Sequence, residues 1–272
     1  MKPLTETDTA KKDEQRSLIV AISAVIAVVG SFIGSGAVIG TPVQEASGGA
    51  LSAEATLIAP YGTAFSIWSV IYMGLIIYAI WQFLPQQRHQ DRHRKSGYPA
   101  AASLILNAAW ILSIQADLLW LSVPIIIALL AVLLWIFVIL CKIRPMSKAD
   151  GIITDGSFGL YLGWVSVATL ANISAWTVAE GFSGFGLDPV FWAISAILAA
   201  VSLGVIIAFY GRGRIAPAVS LVWGLSWIAV GRTIGELQSP PVAIVAVAGA
   251  VIVAVVTLAV RLKWARRPLP RS

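Results

Sequence analysis

Three stretches of this chain place large rings and an amide where a helix would carry them on one face. In YLGWVSVATLAN, residues 161–172, an advance of about 100° per residue brings Tyr161, Trp164, Ala168 and Asn172 into one stripe. In YGTAFSIWSVIY, Phe65, Trp68 and Tyr72 share a face, and in SLILNAAW, Ser103, Asn107 and Trp110 do so. Rings offer broad apolar contact, while amide and indole N–H groups offer a few directed hydrogen bonds. Three such stripes facing one another would enclose a flat, apolar molecule and hold it by its polar atoms. The same residues would also serve packing alone, because an amide in hydrocarbon must find a partner on a neighbouring helix. Pattern alone leaves both readings open.

Other chemistry finds less support. His89 and His93 stand four apart in QQRHQDRHRK, but this basic loop supplies no third ligand for a metal. Phosphate-binding glycine loops and Ser/His/Asp arrangements are missing, so no catalytic residue and no metal site is assigned. No acid or base falls near the middle of an apolar run, which counts against a proton-driven pump. Arg232 and Glu236 are four apart and suit a structural ion pair. A single cysteine, Cys141, rules out an internal disulfide.

The elements that must position these residues are membrane helices. Hydrophobic residues make up 58% of the chain and charged residues only 12%, against about 25% charged in soluble domains. After a polar start, eight apolar runs follow at roughly 17–40, 62–84, 98–116, 119–141, 156–179, 189–210, 215–234 and 242–261, each near the roughly 20 residues that span hydrocarbon. With the N-terminus inside, every lysine and arginine except Arg232 falls on the cytoplasmic side, as the positive-inside rule requires. The fold class is therefore all-α, a polytopic bundle of about eight transmembrane helices in the plasma (inner) membrane, with both termini cytoplasmic. The net charge of +6 belongs to this topology and implies no nucleic-acid partner. Residues 1–16 are expected to be disordered, and 263–272 form a basic cytoplasmic tail. The connection at 41–61 carries Glu45 and Glu54 and no basic residue, and could be a lid or an idle loop. Gly30/Gly34, Gly36/Gly40 and Gly159/Gly163 are spaced for close helix approach, within the chain or in a homodimer.

These residues resemble the TspO/MBR family of tryptophan-rich sensory proteins, related to the peripheral-type benzodiazepine receptor. Pro60 followed by Phe65, Trp68 and Tyr72 is similar to the family's second-helix entry and F-x-x-W-x-x-x-Y pattern. Asn107 and Trp110 match N-x-x-W of its third helix. Tyr161, Trp164, Ala168, Thr169 and Asn172 match Y-x-x-W-x-x-x-A-T-x-x-N of its fifth. The resemblance covers residues 17–180 as a five-helix domain, and leaves 181–262 as a further three-helix segment. It implies a receptor-like membrane protein that binds a flat hydrophobic small molecule, a tetrapyrrole, porphyrin or sterol-like compound, with no cofactor required. Trp68 and Asn107 would then meet the ligand's polar atoms, and Trp164 and Ala168 would form a wall. A transporter of such molecules is the alternative, and a membrane enzyme acting on porphyrins or isoprenoids is a more distant one. The chain departs from the family in having no aromatic residue from Thr41 to Ala59.

Overall fold

The computed structural model describes residues 6–34 and 40–266. Residues 35–39 of the expected first span, with Gly36, and the basic residues Lys2, Arg267 and Arg271 lie outside the described residues. Eight long helices follow in order: α1 (Glu6–Gly34), α2 (Ile67–Trp81), α3 (Asp91–Gln115), α4 (Leu119–Lys142), α5 (Ser157–Ala179), α6 (Pro189–Tyr210), α7 (Ile215–Ile234) and α8 (Pro240–Ala265). Eight helical segments are long and apolar enough to cross a membrane, and no strand occurs among the described residues. The protein is an all-helical, multi-pass integral membrane protein.

Local chemistry sets the helix ends. Asp188 accepts from the Val190 N–H at 2.7 Å, and Pro189 occupies the first turn of α6, where a missing N–H costs nothing. Between α3 and α4, Asp117 takes a left-handed conformation (φ 57°). There the Leu118 N–H donates to Ser113 O and the Asp117 N–H to Ile114 O. This closure satisfies the last carbonyls of α3 and allows the very short turn.

The chain falls into two compact units. The first comprises Met1–Ser47 and Trp68–Phe158. Here α3 packs against both α1 and α4. A Cβ on Gly30 would lie 3.4 Å from Ala108 Cβ, an ordinary van der Waals contact, so α1 and α3 pack side by side at this point. Of the polar start expected to be disordered, residues 6–16 are helical, and residues 1–5 lie outside the described residues. Asp13 and Arg16 are buried there. The Asp13 carboxylate accepts from Arg16 at 2.8 Å and from Arg94 at 2.7 Å, and pairs with His89 at 2.9 Å. The stretch read as a basic loop is also ordered, as the short helix Pro85–Arg88 and the first turns of α3. Its buried Arg92 donates to Asp155 and Ile143 O and lies 3.5 Å from Asp150, which in turn lies 3.5 Å from buried His93. A π-helical segment, Gly151–Gly156, presents Thr154 and Asp155 to this cluster.

The second unit comprises Gly48–Ile67 and Gly159–Ser272. In it α8 packs on α6 and α7, around a core including Val201, Leu221, Leu225, Val242, Ala246 and Val253. Glycines let α5 and α7 touch backbone to backbone. A Cβ on Gly163 would collide with Pro217 O, and one on Gly159 would stand 2.7 Å from Ala216 Cβ. No side chain fits at Gly163 without pushing α7 away.

Candidate functional site

Four of the nine candidate residues come together in the first unit. Trp68 stacks on Tyr72, with ring centroids 5.4 Å apart, and on Trp110 at 6.5 Å. The Tyr72 hydroxyl donates to Asn107 Oδ1 at 2.5 Å. Asn107 is only 1% exposed, yet its Nδ2 has no hydrogen-bond partner among the described residues. Turning the amide over exchanges the roles without removing the problem. One polar atom reaches Tyr72 and the other does not. The Ser103 hydroxyl, on the same stripe of α3, folds back onto Ala100 O at 2.8 Å and is satisfied within its own helix.

In the second unit, Phe65 meets the Trp164 ring edge-on at 5.9 Å. Phe65 does not share α2's register with Trp68 and Tyr72, as the spacing suggested. It lies in a 3₁₀ turn, Gly62–Ser66, and α2 begins only at Ile67. Tyr161, Trp164 and Asn172 are buried on α5, with Ala168 half-buried between them. The hydroxyls of Ser166 and Thr169 bond back to Leu162 O and Val165 O. Tyr161, Trp164 and Asn172 each engage partners of their own. At 100° per residue the Gly159/Gly163 face, which meets α7, is rotated by roughly 165° from this stripe.

A third group went unrecognised in the spacing. Arg232, near the end of α7 and 1% exposed, donates to Thr56 O at 3.2 Å and to Ala53 O at 2.5 Å. This replaces the expected pair with Glu236, because α7 ends at Ile234 and Glu236 no longer follows helical spacing. Further along the same segment, the Tyr61 N–H donates to Trp227 O at 3.1 Å, and the two rings stack at 6.2 Å. The Trp223 indole N–H donates to Ala64 O at 3.0 Å. The connection lacks aromatics over Thr41–Ala59, but α7 brings Trp223 and Trp227 against its end. The signal in the sequence is the one basic residue outside the positive-inside pattern.

The candidate residues are rings, amides and hydroxyls, with no acid or base among them. Such a set can stack and hydrogen-bond. In comparisons with known proteins, no curated protein and no solved structure matches the chain. A family model described as TSPO-like protein matches residues 19–259, from α1 into α8 and well past residue 180, where the motif resemblance ends. With eight membrane helices, the aromatic-and-amide motifs on α2, α3 and α5, and a match over nearly the whole chain, this protein belongs to the TSPO-like protein family.

Proposed function

We propose that this protein is a membrane receptor or sensor that binds a flat hydrophobic small molecule, of tetrapyrrole or sterol-like shape, within the bilayer. One observation carries the reading. A buried amide among the rings of Trp68, Tyr72 and Trp110 keeps a polar atom without a partner. Leaving such a group buried and unsatisfied costs about 1–3 kcal/mol, a cost that a ligand with one polar atom at its edge would relieve. The surrounding rings suit an extended π-surface. Within the second unit, Phe65 and Trp164 meet edge-on and offer apolar ring surface of their own to a flat ligand. The charge pattern further supports cytoplasmic termini in a plasma membrane.

The test is titration of protoporphyrin IX into the detergent-solubilised protein, followed by porphyrin absorbance. Asn107→Leu removes the polar contact and should weaken binding roughly 2- to 13-fold, the range set by one hydrogen bond of about 0.5–1.5 kcal/mol. Ile105→Leu, on an exposed position of the same helix, should leave affinity unchanged. Equal affinity for wild type and Asn107→Leu would mean that the amide serves packing.

A further inference from the structure

We infer that α7 is a positioning element for the aromatic site, acting through Trp223 and Arg232. The inference rests on the binding reading above and concerns the second unit. The segment from Ala53 to Ala64 runs antiparallel along α7: Ala53 O and Thr56 O meet Arg232, Tyr61 meets Trp227, and Ala64 O meets Trp223. A guanidinium withdrawn from water is costly unless its donors are occupied. Arg232 therefore keeps two loop carbonyls converged on one point. The next residue after Ala64 is Phe65, whose ring meets Trp164. Trp164 itself follows directly on Gly163, whose backbone lies against Pro217 O of α7. Both partners of the Phe65–Trp164 pair are thus registered to the same helix, one through the Ala64 carbonyl and the other through Gly163. A shift of the segment relative to α7 changes the angle and distance between these two rings before it changes anything else about α5.

The experiment is a double-mutant cycle read by protoporphyrin IX affinity, with amide hydrogen exchange of residues 53–66 as a second readout. Trp223→Phe keeps a ring and deletes one N–H, so the fold is retained. It should weaken binding by about 2-fold or more, up to the roughly 13-fold ceiling of a single hydrogen bond, and should speed exchange of the segment. Phe65→Leu should also weaken binding. In the Phe65→Leu background, Trp223→Phe should cost nothing further, because its effect passes through the Phe65 ring. Arg232→Lys, which keeps the charge but not the planar fork, should repeat this behaviour. Additive losses in the double mutant, unchanged affinity of Trp223→Phe, or unchanged exchange would each overturn the inference. Failure of the wild type to bind porphyrin would overturn the binding reading and the inference with it. Faster exchange in Trp223→Phe would then still show that α7 holds the segment.

Discussion

Replacing Tyr72 and Asn107 together, as Tyr72→Phe/Asn107→Leu, should leave the protein as stable as wild type or more so, while weakening ligand binding. In the wild type the pair shares one hydrogen bond of 2.5 Å, and Asn107 Nδ2 is buried without a partner. The bond is worth about 0.5–1.5 kcal/mol net, and the orphaned donor costs about 1–3 kcal/mol. Removing both groups forfeits the first and recovers the second, a net change between a loss of about 0.5 and a gain of about 2.5 kcal/mol. The single variants behave differently. Tyr72→Phe strands the whole amide, and Asn107→Leu strands the tyrosine hydroxyl, so each should be less stable than the double variant. Thermal unfolding in detergent resolves this ordering, since about 1 kcal/mol moves the midpoint by roughly 2–4 °C in a chain of this size class. The same samples, titrated with protoporphyrin IX, should show the double variant binding roughly 2- to 13-fold more weakly. A double variant destabilised by the sum of the two single losses would refute the reasoning. It would show that the amide is satisfied and that its polar atoms are part of the packing.

Three further outcomes follow from the packing and the charges. Gly163→Ala should lower the melting temperature by several degrees, because overpacking against a backbone carbonyl costs about 1–3 kcal/mol or more. Gly156→Ala, where a Cβ meets nothing within 4 Å, should melt at or slightly above the wild-type temperature. Arg92→Gln should be among the most destabilising single changes, since removing one partner of a buried ionic cluster costs about 3–5 kcal/mol. Thermal melting beside Arg144→Gln, an exposed position, checks this. In a Cys141→Ser background, Met146→Cys and Phe185→Cys, both at exposed positions between helices, should label from opposite faces of the membrane. Met146→Cys should be reached from the cytoplasm.

The eight spans are legible because hydrocarbon enforces both length and composition, and each apolar run corresponds to one long helix. The side-chain stripes are equally legible wherever one uninterrupted α-helix carries them, as with Trp68 and Tyr72, Asn107 and Trp110, or the α5 residues. Periodicity fails where the backbone changes type. Phe65 sits in a 3₁₀ turn and Glu236 beyond the end of α7, so spacings of three or four no longer mean a shared face. Composition fails in another way at QQRHQDRHRK. Its charges read as solvated because their partners are distant in the chain: Asp13 lies 81 residues from Arg94, and Asp155 lies 63 from Arg92. Such a stretch becomes structure only when the distant partners arrive, and no local window can show that. Arg232 is the instructive case between these extremes. A lone cation on the side where topology disfavours it has to be satisfied by something, and Glu236, the carboxylate that spacing offers, lies beyond the end of α7 at Ile234. Backbone carbonyls of an irregular segment are the remaining acceptors, and the connection at 41–61 is the longest such segment on that side. The sequence thus marked Arg232 as an anomaly but named the wrong partner for it, since its acceptors are Thr56 O and Ala53 O of the connection.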